Sequence, residues 1–298
     1  MGACLPGSEL LARLTVSALS AWALVGAGCS GRTIVAVDPF PCADASAPGC
    51  PAADLLNDLI GYWRLNDAPG STTARDYSVW GNDGTLVGVD PATAWVAGGP
   101  EGGALSPQGM GYVNVRTSAS IDSIKTQVTL AAWIYLTAFP VGMANYATAI
   151  SRQVGAGLEQ HYHLSVNDQK QAILFITTTT ADAGAGSGGG KYVIGGPPTI
   201  PLQTWVHLAG TYDGSQLRLY VNGVQVASAA GTGPFAAETN PVVLSGNGND
   251  PPRTVSELVH GQLDEIMLYR RALSPDEIAR LESGALLPSG AFHPDAGP

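Results

Sequence analysis

Short runs in which every second residue is apolar constrain this chain more than any other feature of its sequence. Successive side chains of an extended segment point to opposite sides, so each such run is a strand with one buried face. Val128, Leu130, Ala132, Ile134 and Leu136 keep the period longest. Leu217, Leu219 and Val221 keep it up to Asn222-Gly223, after which Val224 and Val226 resume it. An Asn-Gly pair tolerates positive φ at both centres of a two-residue turn, so these two runs are expected to form a hairpin. Further strands are expected at 62–65, 112–115, 161–166, 172–177, 205–212 and 261–269, and nothing between them argues for βαβ units. One helix is specified near the end. Ser274 can cap it, Pro275 suits its first position, Glu277 can complete a capping box, and Leu273 with Ile278 can form a hydrophobic staple. The expected fold is all-β, a two-sheet antiparallel jelly-roll sandwich with one short C-terminal helix.

The beginning of the chain reads as an address. Arg13 precedes an apolar stretch at 14–27 that is too short to span a hydrocarbon core of ~30 Å as a permanent helix. Gly26, Ala27 and Gly28 then lead directly into Cys29. That arrangement resembles a lipobox, although Gly26 stands where Leu or Val is usual. Residues 1–28 are therefore expected to be a signal peptide and Cys29 a lipidated terminus, with ordinary cleavage after Ala27 and secretion as the alternative. Cleavage before Cys29 discards Cys4, and lipidation consumes Cys29. Of four cysteines only Cys42 and Cys50 remain, and they are expected to pair as a disulfide in an oxidising compartment. Residues 29–54 are Pro/Ala-rich and read as a tether, 55–287 as one folded domain, and 288–298 as a disordered tail. With 24 acidic against 14 basic residues the chain carries a net charge of −10, so nucleic acid and anionic membrane surfaces are not expected partners. Membrane contact is expected only through the lipid anchor, in an extracytoplasmic location at the cell envelope.

The expected strands carry phrases that, taken in order, resemble the LamG-like jelly-roll family within the concanavalin A-like lectin/glucanase fold. They are Tyr62-Trp63-Arg64-Leu65-Asn66-Asp67, Asp76-Tyr77-Ser78, Gly81-Asn82-Asp83-Gly84-Thr85-Leu86, and the segments at 128–134, 205–214 and 219–223. Gly261-Gln262-Leu263-Asp264-Glu265-Ile266 and Ala272-Leu273-Ser274 complete the series. The resemblance covers nearly the whole domain and implies its fold much more firmly than its function. It also implies calcium, because some members hold that ion beside the sheet edges. The matching positions are Asp67 and Asp264, with Asp76 or the Asn82 loop contributing oxygen ligands. The competing reading is that Asp76 and Asn82 make side-chain turns.

Parity gives a candidate ligand face. If Val128, Leu130 and Ile134 are buried, Trp133 and Tyr135 point the other way, and the same reasoning turns His161, His163, Trp205, His207, Arg218 and Tyr220 outward. Trp133, Tyr135, His163, Trp205 and Tyr220 are the expected stacking residues for sugar rings; packing beneath covering loops is the alternative. Signatures of catalysis are missing. No Glu-x-Asp-x-x-Glu run, nucleophile elbow or His-Glu-x-x-His motif occurs, and Asp264 and Glu265, being adjacent, are expected to point to opposite faces and so not to form the paired acids of glycoside hydrolysis. The His161 and His163 pair lacks a third metal ligand, and the Gly184, Gly186, Gly189 match lies in a run of small residues without strand-to-helix context. The expected function is a non-catalytic binding module for carbohydrate. A protein-protein or adhesion module that binds a cell-surface protein is the alternative, and a glycan hydrolase ranks last.

Overall fold

In the computed structural model the alternating runs are strands. Residues 53–141, 146–153, 160–179, 190–194 (backbone only), 198–235, 238–248 and 255–284 are described. Residues 1–28, expected to be a signal peptide, Cys29, Cys42, Cys50, nearly all of the expected tether at 29–54, the glycine run at 184–189 and residues 288–298 lie outside the described residues. In chain order the strands are β1 (Leu59–Trp63), β2 (Thr73–Ala74), β3 (Gly84–Val87), β4 (Trp95–Gly99), β5 (Gly102–Leu105), β6 (Tyr112–Val115), β7 (Val128–Leu136) and β8 (Tyr146–Gln153). They continue as β9 (Gln160–Asn167), β10 (Ala172–Thr177), β11 (Gly190–Ile194), β12 (Trp205–Tyr212), β13 (Gln216–Val221), β14 (Val224–Ala230), β15 (Val242–Leu244) and β16 (Gly261–Tyr269). Helices α1 (Ala53–Leu56), α2 (Pro91–Ala94) and α3 (Pro275–Glu282) complete the order with one turn of 3-10 helix.

All pairings are antiparallel and form two sheets. The first runs β14-β13-β12-β7-β16-β5-β4, with β1 pairing the other half of β16; the second runs β11-β10-β9-β8-β15-β6-β3-β2. Between them lies one apolar core that includes Val128, Leu130, Ala132 and Ile134 of β7, Leu164 and Val166 of β9, and Leu217 and Leu219 of β13. These are the residues that parity assigns to the buried face. The chain is thus the expected two-sheet jelly-roll-like sandwich.

The two local features with the strongest sequence signals form as expected. At the β13–β14 turn Asn222 has φ 48° and Gly223 has φ 74°, the left-handed pair that such a turn requires. At α3, Ser274 Oγ accepts from the Glu277 N–H at 3.3 Å while the Glu277 carboxylate accepts from the Ser274 N–H at 2.8 Å. Ile278 and Leu281 bury the apolar side of this helix. They close a second, smaller cluster on the outside of the first sheet, with Leu55, Leu59, Tyr62, Ala131, Ala209, Tyr220, Met267, Tyr269 and Leu273.

Candidate functional site

The outer face of the first sheet is divided in two. One half is roofed by α3 and its small cluster. The other half carries Trp133 and Tyr135 on β7, Trp205 and His207 on β12, and Gln262 and Asp264 on β16. Strand register puts Trp205 opposite Tyr135 and His207 opposite Trp133, while on the other side of β7 Gln262 faces Tyr135 and Asp264 faces Trp133. The rings touch across the strands: Trp133 and His207 have centroids 5.3 Å apart, and Tyr135 and Trp205 5.6 Å apart. Trp133, Tyr135 and Trp205 are half-buried, so part of each ring faces solvent. His207 is buried, and burial lowers its pKa to about 3, leaving a neutral imidazole beneath the tryptophan. Among the described residues the Tyr135 hydroxyl, the Gln262 amide and the Trp133 indole N–H have no hydrogen-bond partner.

Beside this face lies a pair of acids that sequence parity misplaces. A β-bulge interrupts the register of β16 between Asp264 and Met267, and Glu265 adopts φ 49° within it. The extra residue cancels the alternation locally, so Glu265 turns to the same side as Asp264. The expectation that the two point to opposite faces is therefore corrected: a bulge breaks the period on which it rested. The Tyr62 hydroxyl donates to the Glu265 carboxylate, and the Arg64 guanidinium lies 3.5 Å from its other oxygen. Burial, and after it the charge of Glu265, pushes the Asp264 carboxyl well above the usual carboxylate range. Burial raises Glu265 too, against the opposing pull of Tyr62 and Arg64.

What covers Asp264 is the tip of the β4–β5 hairpin. The Glu101 N–H approaches Asp264 Oδ2 at 3.4 Å, and a Cβ added at Gly99 would meet the same oxygen at 2.5 Å. Only glycine lets the backbone come this close. The Trp205 indole N–H donates to Gly98 O at 3.0 Å and pins the hairpin across the sheet. Trp205 thus positions the hairpin with its polar edge and offers only its ring to solvent.

Two of the five expected stacking residues lie elsewhere. Tyr220 does point away from the main core, but it is fully buried in the cluster beneath α3. Parity reports which way a side chain points and says nothing of a helix laid over it. His163 belongs to β9 in the second sheet, so it shares no face with Trp133. It is buried as well, held at 2.6 Å from Thr148 Oγ1, which in turn donates to the Glu257 carboxylate at 3.0 Å. Burial lowers its pKa to about 3. His161 is likewise buried, with its ring 4.7 Å from that of Phe235.

The aspartates expected to hold calcium are not gathered. Asp76 Oδ1 accepts from the N–H groups of Tyr62 and Ser78, both at 2.8 Å; its Oδ2 accepts from Ser78 Oγ at 2.7 Å and the Asn82 N–H at 2.6 Å. Those four bonds use the lone pairs a metal would need. Asp67 Oδ2 accepts from the Arg75 N–H at 3.2 Å, and Asp264 is enclosed with Glu265. Among the described residues no group of three or more His, Cys, Asp or Glu side chains is arranged to hold a metal ion. Asp76, engaged by its four hydrogen bonds, behaves as the competing turn reading has it, and Asp67, Asp76 and Asp264 are not grouped around one point.

Gln262, Glu101 and the glycine hairpin were missed by the sequence reading. Gln262 could have been found by parity, two positions before Asp264. The hairpin could not, since a run of glycines records close approach without saying to what.

Comparison with known proteins agrees with this architecture. A family model of the laminin G type, described as the concanavalin A-like lectin/glucanases superfamily, matches residues 107–279, more than half of the chain. No curated protein matches. Among solved structures, the binding domain of Paraclostridial Mosquitocidal Protein 1 superposes with a TM-score of 0.55 at 16% identity, over 77% of this chain and 53% of that one. Domain 4 of AbnA, an extracellular GH43 arabinanase from Geobacillus stearothermophilus, solved in complex with arabinotriose, has a TM-score of 0.53 at 19% identity, covering 76% of this chain and 98% of that one. A Trypanosoma rangeli sialidase gives a TM-score of 0.51 at 18% identity over 81% of this chain and 35% of that one. The chain thus spans about half of the first of these structures and about a third of the sialidase, and at such identities the likeness speaks for the fold alone. Fold, register and the family match agree, and the chain belongs to the concanavalin A-like lectin/glucanase superfamily.

Proposed function

We propose that this protein is a non-catalytic carbohydrate-binding module, held outside the cytoplasm by a lipid on Cys29, whose ligand lies over Trp133, Tyr135 and Trp205. The observation that carries the reading is the combination of three half-exposed rings in strand register with the unengaged polar ends of Tyr135, Gln262 and Trp133. Sugars present apolar ring faces edged by hydroxyls, and such a surface offers stacking and hydrogen bonds together. The arabinotriose bound to domain 4 of AbnA is in keeping with this use of the fold. A hydrolase reading is favoured by one feature, the adjacent carboxyls of Asp264 and Glu265. Their relative exposures of 0% and 2% weigh against it, because acids that act on a glycosidic bond must reach it.

The test is a glycan array followed by titration of the best ligand against the parent protein and Trp133→Ala. The substitution is expected to weaken binding on the order of tenfold or more, about 1.4 kcal/mol. Circular dichroism should show the same folded state. Parent-like affinity in a folded Trp133→Ala protein would move the ligand off this face. For the anchor, intact mass of the membrane-extracted protein should fit a chain starting at diacylglyceryl-modified Cys29. An unlipidated chain beginning at Gly28 or Ser30 would remove the tether from the proposal.

A further inference from the structure

We infer that this face accepts uncharged glycans and rejects sugars that carry carboxylate or sulfate groups. The inference rests on the carbohydrate reading above and deepens it to a ligand class. Recognition of an anionic sugar needs a cation free to meet it, usually an arginine whose fork matches the anion. Among the described residues the arginine nearest the rings, Arg64, is largely buried and its charge is already offset. Arg64 faces Glu265 and lies 5.5 Å from the centroid of the Tyr77 ring. Arg218 stands opposite Thr211, beyond the row of the sheet that α3 covers, and is bound there to Asp213 and to the Gln216 side chain, each at 2.7 Å. The imidazole nearest the rings, His207, is buried and neutral.

The groups that remain are acidic or uncharged. Glu101 stands exposed on the hairpin turn that Trp205 pins, and its backbone N–H reaches Asp264. The Glu101 carboxylate repels an anionic substituent that approaches the hairpin, a repulsion that physiological salt screens beyond ~8 Å. The net charge of the whole chain acts in the same direction. By contrast, the Gln262 amide and the Tyr135 hydroxyl can each donate and accept, which suits sugar hydroxyls that do the same. Selectivity by an adverse charge is a common way to exclude near-identical ligands.

The experiment applies the full chain to an array containing matched pairs of glycans, such as lactose with and without sialic acid and xylo-oligosaccharides with and without a glucuronic acid branch. Binding is expected on uncharged members, with each acidic partner weaker on the order of tenfold. Glu101→Lys should narrow that gap. Equal signals within pairs, or stronger signals on the acidic members, would overturn the inference while leaving a carbohydrate-binding protein. Silence on every glycan would overturn the carbohydrate reading itself and this inference with it.

Discussion

Replacing Asp76 by alanine should destabilise the fold by ~3–5 kcal/mol, since two or more buried donors are left unpaired at about 1–3 kcal/mol each. The Asp76 carboxylate is the hub of the segment that follows β1. It holds the Tyr62 N–H of that strand, the Ser78 N–H and hydroxyl, and the Asn82 N–H. Asn82 then extends the network, donating to Ile60 O at 2.7 Å and accepting at its own carbonyl from the buried Trp63 indole at 2.9 Å. Alanine fills none of these roles. Asparagine keeps one acceptor oxygen and should fall between the two. Equilibrium unfolding in urea measures the difference, and a loss below about 1 kcal/mol would show that water replaces the carboxylate freely. Repeating the series with calcium and with a chelator separates the two accounts of this residue. A hydrogen-bonding hub loses the same amount in both solutions, whereas a ligand to calcium loses its contribution once the ion is removed.

The second large effect concerns Tyr220. Truncating it to alanine should cost ~3–5 kcal/mol, the range for removing a large buried aromatic side chain. The ring sits among Tyr62, Ala131, Ala209, Met267 and Tyr269 under Leu273, Ile278 and Leu281, so the cavity would open beneath α3. A sugar platform would behave differently. Its loss would abolish binding and leave the melting curve in place. The expected result is therefore a lowered unfolding midpoint for Tyr220→Ala, with ligand affinity retained in the fraction that stays folded. An unchanged midpoint would mean that α3 does not cover this side chain in solution.

Much of the scaffold was legible because its signals are local. β7, β10, β12 and β16 lie where alternation puts them, and the Asn222-Gly223 turn and the Ser274 cap need only their own residues to form. Other strands left no such trace. β8 is buried along most of its length on both faces, so Ala147, Thr148, Ala149, Ile150 and Ser151 show no period of two. β4 and β5 are too rich in glycine and alanine for alternation to register. The outward sense of Trp133, Tyr135 and Trp205 was also readable. The presence of His163 on another sheet was not, because strand pairing between distant segments is decided by the packing of the whole core.

The sequence by itself determined which side chains of a strand go inward, where one hairpin turns and how one helix begins, since each depends on neighbours within a few residues. The tertiary structure alone decided which part of the outward face stays open. α3 comes from beyond the last strand to cover Tyr220, and the glycine hairpin crosses to enclose Asp264. A single residue of bulge brings Glu265 alongside it. Burial, a shared site for two acids and the match between distant strands are properties of elements far apart in the chain, and a local period carries no record of what will be laid over it.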